Sequence, residues 1–400
     1  TQPSGLTANI TGVLITITAS GPSKVYGTAL SVGTSAINFS VTSGTLVGSQ
    51  GVTGVTLTPD ATGISTTTAA GAGYVVTPSL ATGSNGFSAS NYIITYSPFN
   101  GTVGLRPITI TASGPSKVYG TALSAGTSTT NFSLTSGTMV GTESVTGVTL
   151  TPNAAGLSAT TAFNAAYTVT PSLATGINSF SASNYDITYV PFNGTVTRTS
   201  LTVTATGPSK AFGVALTTGT SATNFSVTGT LASGEALTSV TLTPDAAGAS
   251  AATAAAQPYV VTPSAATGTG SFLASNYNIT YTPFNGVVGQ IAITITATGP
   301  TVKTYGTALS AGTSTTNFSV TGTLNTGEAV TGLTLTPNAA GVSATTAAGA
   351  AYVTTPSLAT GSGGFLAANY TITYIPYNGT VTTRALTITA TGPTKIYGTA

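Results

Sequence analysis

The chain has no histidine, no cysteine and no tryptophan among its 400 residues. Without cysteine there is no disulfide, and without cysteine and histidine no zinc site of the usual kind. A Ser–His–Asp or Cys–His nucleophilic unit cannot be assembled. Charge is nearly missing as well. Eight Lys+Arg and six Asp+Glu make 4% of the chain, where a soluble domain carries about 25%. A net charge of +2 from scattered cations is not a nucleic-acid footprint. Six acids are too few for clustered-carboxylate calcium sites, and no pair within one repeat offers an acid/base site. The expectation is therefore no enzyme, with no catalytic, metal or cofactor-binding residues, and no nucleic-acid partner.

Mean hydropathy is positive (+0.36), yet no stretch approaches about 18 apolar residues free of Gly, Pro, Ser and Thr. The most apolar segment, 246–261, is broken by Gly248 and Pro258. No membrane insertion is expected in this segment. The start, Thr-Gln-Pro-Ser-Gly, carries no basic and apolar leader, so any targeting signal is expected outside the chain. Thirty Tyr and Phe residues supply enough bulk for several cores, which separates the sequence from disordered ones.

What is present is a repeat. GPSKVYGTAL occurs at Gly21–Leu30 and, letter for letter, at Gly114–Leu123. It returns as GPSKAFGVAL from Gly207, GPTVKTYGTAL from Gly299 and GPTKIYGTA from Gly392, in steps of 93, 93, 92 and 93 residues. Every lysine keeps this phase: Lys24, Lys117, Lys210, Lys303 and Lys395. So do the aromatics, of which only Phe163 lies out of register. Repeats three and four lose a residue near Thr228 and Thr321, and repeat four gains one between Pro300 and Lys303. The reading is a stub at 1–13, repeats at 14–106, 107–199, 200–291 and 292–384, and the start of a fifth at 385–400.

Alternation marks the strands. Tyr92-x-Ile94-x-Tyr96 recurs as Tyr185/Ile187/Tyr189, Tyr277/Ile279/Tyr281 and Tyr370/Ile372/Tyr374. The residue after the first Tyr drifts: Ile93, Asp186, Asn278, Thr371. A constant face beside a drifting one points the constant face inward. Tyr92, Ile94, Tyr96 and Phe99, with Tyr185, Tyr189, Tyr277, Tyr281, Tyr370 and Tyr374, are the expected core. The Ala-rich run 246–256 tempts a helix, but the same phase in repeat one reads ATGISTTTAAGAG, a poor helix former; a long helix is rejected. The fold class expected is all-β: a tandem array of ~93-residue immunoglobulin-like β-sandwich modules, with a β-grasp-like module as the alternative. Arg106, Arg198, Gln290 and Arg384 stand at the junctions, where no flexible Gly/Ser linker intervenes. Neighbouring repeats of the same chain are thus the first expected partners.

The ITIT strand, the K-x-YG turn, the mid-repeat Y-x-x-TPS and the closing NYxITY…NGTV resemble the MBG repeats (YGX type), tandem modules of giant secreted bacterial surface proteins. The resemblance covers residues 14–400. Phe212 departs from it where Tyr is expected, and Tyr377 where the other repeats have Phe. It implies an extracellular location on a bacterial cell surface, as an adhesin stalk or surface filament.

The K-x-YG lysine is expected to pack its stem and cap a turn carbonyl or meet an acid. An internal isopeptide bond would join Lys to Asp60, Asn153, Asp245 or Asn338, with Glu143, Glu235 or Glu328 as the carboxyl. Repeat one has Gln50 at that phase, and no such bond is expected. Asp60 and Asp245 read as turn residues after proline. Asn-x-Ser/Thr at Asn38, Asn100 and their copies reads as a turn and strand signature before a glycosylation site. Thr-rich outward faces with almost no charge leave the edge strands without their usual protection, so sugars or other copies of the chain are expected to cover them. Three functions follow: adhesin stalk, self-assembling filament or sheath, and spacer beside a secreted enzyme.

Overall fold

The computed structural model describes residues 9–398. It contains four modules with a common element order, to which module 4 adds a two-residue strand, Lys303–Thr304. In module 1 these are β1 (Val13–Ala19), β2 (Gly33–Ser35), β3 (Phe39–Ser43), β4 (Gly51–Pro59), a one-turn helix α1 (Ala61–Ile64), β5 (Gly73–Ser84), β6 (Tyr92–Ser97) and β7 (Phe99–Thr102). A 3-10 turn, Ala89–Asn91, leads into β6. The strands form two sheets, β3-β1-β6 and β2-β4-β5-β7. β1 runs parallel to β6 and antiparallel to β3, while the larger sheet is antiparallel throughout. Two sheets sharing one core make an all-β sandwich, of immunoglobulin-like rather than β-grasp character, since no single sheet wraps a helix.

Alternation sets the core. β1 buries Ile15, Ile17 and Ala19 and turns its threonines outward. β4 contributes Val55 and Leu57, and β5 contributes Tyr74 and Val76. Tyr74 and its copies Tyr167, Tyr259 and Tyr352 are the largest fully buried rings. The Tyr74 hydroxyl donates to the Pro22 carbonyl at 2.9 Å, and its ring meets Phe99 edge-on at 6.1 Å. A Cβ on Gly101 would sit 2.3 Å from the Tyr74 ring. The Gly of the NGTV motif is therefore the clearance that lets Tyr74 fill the core.

The expected core residues fall on one face but at graded depth. Tyr92, Tyr185, Tyr277 and Tyr370 are buried. Ile94, Tyr96, Phe99, Tyr189, Tyr281 and Tyr374 are half-buried, and Ile93 is exposed. Tyr96 is shallow because its hydroxyl has work at the surface of the sheet: it accepts the Ala81 N–H at 2.9 Å. That amide follows Leu80, which takes a positive φ of 49° where the β4–β5 ladder slips register. The hydroxyls of Tyr189, Tyr281 and Tyr374 serve the same bulge in the other modules.

The length changes between repeats have a structural basis. In modules 1 and 2 the pairing of the first strand with the third contains a bulge. In modules 3 and 4, one residue shorter there, the pairing is continuous. The Ala-rich phase forms only a single helical turn, Ala246–Ala249 in module 3. Arg106 opens the first strand of module 2, Arg106–Ala112. The expected stub 1–13 lies mostly outside the described residues. Residues 385–398 carry no regular element. Among the described residues no helix is long and apolar enough to cross a membrane.

Candidate functional site

Two constructions recur in every module or at its edge: a buried lysine and a joint.

The K-x-YG lysine is inside the module. Lys24, Lys117, Lys210 and Lys303 are all buried. The Lys24 ammonium donates to the carbonyls of Thr62 and Gly63 at 2.9 Å each, and to that of Ser65. Lys210 repeats this with Ala247 (3.0 Å), Gly248 (3.1 Å) and Ser250. Lys117 reaches Thr121 and Ser158, and Lys303 reaches Thr307 and Ser343. A one-turn helix ends with unsatisfied carbonyls and a negative dipole end, which a cation meets well. The start of the same turn is capped by Asp60, whose Oδ1 accepts from Gly63 N at 2.7 Å and whose Oδ2 accepts from Val75 N at 3.0 Å. Asn153, Asp245 and Asn338 cap the other turns through Oδ1. Asp60 and Asp245 are thus helix caps rather than plain turn residues. Burial lowers the pKa of Lys24, Lys117 and Lys210 below the usual amine value.

Lys24 and Lys210 feel the charge of Asp60 and Asp245, but in module 2 the three isopeptide groups have other partners. Asn153 spends its carbonyl oxygen on the cap, the Lys117 amine faces backbone carbonyls, and Glu143 is occupied elsewhere.

Glu143 belongs to the joint between modules 1 and 2. Its two carboxylate oxygens accept hydroxyls from Tyr26 of module 1 and Tyr185 of module 2. The two rings meet edge-on at 5.5 Å. Burial, then the hydrogen bond to Glu143, pushes the Tyr26 hydroxyl up to about 12; the same causes raise Tyr185. Asn184, buried, accepts the Ala70 N–H of module 1 at 3.0 Å. Gly27, which follows Tyr26, has φ +83°, and a Cβ there would lie 2.3 Å from Val140 of module 2. The YG signature is therefore an interface device: the ring enters the joint and the glycine lets the next module approach.

Modules 3 and 4 meet through the same positions with one group deleted. Phe212 stands edge-on to Tyr370 at 5.9 Å, and Asn369 accepts the Ala255 N–H at 2.9 Å. Tyr370 still donates to Glu328, but Phe212 has no hydroxyl to add.

The four junction residues play four parts. Arg106 donates from Nε to the Thr138 carbonyl at 2.7 Å, and from Nη1 to the Tyr26 carbonyl at 3.4 Å. It rims a cleft of about 560 Å³ shared with Tyr26, Glu143, Asn178 and Asn184. Arg198 lies over the Phe163 ring at 3.9 Å, which accounts for the one aromatic outside the register. Gln290 bonds Ala368 and Thr371. Arg384 is exposed, beside Gly306. The joints thus bring together Tyr26, Glu143, Asn184 and Tyr185, with Arg106 beside them, or Phe212, Glu328, Asn369 and Tyr370. A signal existed: Glu143, Glu235 and Glu328 share one phase, and Asn91, Asn184, Asn276 and Asn369 share another.

Among the described residues no group of three or more His, Cys, Asp and Glu could hold a metal ion. The fold and its joints define a tandem array of all-β sandwich modules. No family model matches the sequence, and no curated protein matches it either.

Proposed function

We propose that the chain is a structural repeat segment of an extracellular bacterial surface protein, a stiff rod that serves as an adhesin stalk. The joint between modules 1 and 2 carries this reading. A buried aromatic pair, a shared carboxylate and a side chain-to-backbone bond from Asn184 fix one module on the next. Modules 1 and 2 are connected with no free linker, since Val103, between β7 and module 2, is itself buried and its N–H donates to the Ala72 carbonyl. The location rests on the resemblance to surface-protein repeats. Small-angle scattering of the chain tests the rod: an elongated particle with a regular intermodule repeat is expected. A globule, or modules at random angles, overturns it.

A second reading, lateral association into a filament or sheath, draws on the surface. Leu80, Leu173 and Leu358 are each more than 70% exposed in the same phase, and the outer strands carry almost no charge to resist edge pairing. Sedimentation at high concentration decides it: a clean monomer removes the filament and leaves the stalk.

A further inference from the structure

Five asparagines are followed by glycine: Asn85, Asn100, Asn193, Asn285 and Asn378. In such a pair no Cβ shields the glycine nitrogen from the asparagine side chain, which opens the pair to loss of the side-chain amide. All five asparagines are exposed. Their backbones are not alike.

Four of the pairs lie in the last strand of a module. Gly101, Gly194, Gly286 and Gly379 stand opposite Tyr74, Tyr167, Tyr259 and Tyr352 in the ladder. Each presses on that buried ring: a Cβ there would lie 2.3 to 2.5 Å from the ring Cζ. Turning the backbone at these places would break the ladder and drive the glycine into the core.

Asn85 and Gly86 form the tip of the turn after β5. The Phe87 N–H donates to the Ser84 carbonyl at 3.2 Å, and the two residues between have positive φ, 56° and 80°. Two positive values are what a type I′ turn needs, and Asn-Gly suits it. Gly86 is exposed, and its N–H has no partner among the described residues. Two exposed bonds hold the tip: Asn85 Nδ2 donates to the Ser49 carbonyl at 2.6 Å, and Gln50 Nε2 to the Gly86 carbonyl at 3.0 Å. Such a tip opens readily. Only module 1 has Asn-Gly at this phase; the others read Asn178-Ser179, Gly270-Ser271 and Gly363-Gly364.

We propose that Asn85 is a site of spontaneous deamidation, with water as co-reactant, and that the fold protects the other four pairs. The Gly86 nitrogen gives its proton to hydroxide and attacks Asn85 Cγ. A Cγ–N bond forms, the Cγ–Nδ2 bond breaks, and Nδ2 leaves as ammonia with a proton from water. Water then opens the cyclic imide. Breaking the new Cγ–N bond gives aspartate; breaking the original peptide bond gives isoaspartate. Nothing is oxidised or reduced. Neither product can donate to the Ser49 carbonyl, and each carries a new negative charge. Asn178 and Ser179, at the same phase in module 2, line the cleft of the joint with module 1. The new charge thus falls on the face by which module 2 meets its neighbour. The reaction belongs to one turn of module 1, so the proposal stands whether or not the array is a stalk.

The test keeps the intact chain in mildly alkaline buffer, folded and in urea, and follows each site by peptide mapping with mass spectrometry. Each folded rate is divided by the rate of the same site in urea. Asn85 should keep most of its rate. The four strand sites should lose at least about tenfold, because core strands open far less often than turn tips. Asn178, in the same turn but before serine, should lag behind Asn85, and the Asn85 product should include isoaspartate. The proposal is overturned if Asn85 reacts no faster in the folded chain than the strand sites, or if Asn178 keeps pace with it. A product that is aspartate alone also overturns it, because the ring would then not have formed.

Discussion

Replacing Lys24 by methionine asks whether the buried ammonium holds the module together or merely survives inside it. Methionine keeps the length and most of the volume of the stem, so a cavity contributes little. Three carbonyls lose their donor. Two of them have another: Thr68 Oγ1 donates to Thr62 O at 2.8 Å, and Leu30 N donates to Gly63 O at 3.0 Å. The Ser65 carbonyl is left as the principal orphan, at roughly 1–3 kcal/mol. Losing two charge-assisted bonds and the match to the helix end adds to this, while the relieved desolvation of the amine subtracts. The expected net is a loss of about 2 kcal/mol in module 1, out of roughly 5–15 for a domain. Hydrogen exchange with mass spectrometry on the whole chain resolves it by module. Peptides over 60–76 should exchange roughly 30-fold faster, with the same phase in module 2, 153–169, as the unchanged control. Exchange that stays the same or slows would refute the reasoning: the ammonium would then cost more in desolvation than its bonds return.

Three further outcomes are expected. Tyr26→Phe should weaken the first joint by about 1 kcal/mol, a hydrogen bond to a carboxylate discounted because Glu143 is only half-buried. Phe212→Tyr should strengthen the second by a similar amount; a double-mutant cycle with Glu143→Gln checks the first, and equal effects with and without Glu143 would sink the pairing. With pH, Lys24, Lys117 and Lys210 have folded pKa values below the usual 10.5, so the unfolded chain binds more protons and stability rises as pH climbs towards 10.5. Tyr26, at about 12, acts oppositely: its contribution is full below pH 10 and is lost through pH 12, and the other raised tyrosines act in the same direction. Melting scans from pH 8 to 12 should therefore climb and then fall, and a steady fall from pH 8 would contradict the lysine burial. Gly101→Ala, which places a Cβ 2.3 Å from the Tyr74 ring, should destabilise module 1 by about 1–3 kcal/mol, read by exchange in β5 with module 2 unchanged.

The sequence by itself determined the period, the strand class and the inward face of Tyr92-x-Ile94-x-Tyr96. These are local: alternation has period two, and a repeated core must return its aromatics in phase. The rejection of a long helix at 246–256 followed from comparing equivalent segments, and a single turn is what forms there. The lysine was read as a carbonyl cap, but not as a buried one, because burial depends on the helix end 38 residues later in the chain. The partner of Tyr26 was out of reach for the same reason. Glu143 lies 117 residues away, and nothing local distinguishes an acid that faces water from one that receives two tyrosines. Thr354 shows the limit most plainly. In sequence it is one more threonine in a Thr-rich strand, since Val and Thr suit a strand equally. Only the packing of two sheets around it makes its hydroxyl an orphan.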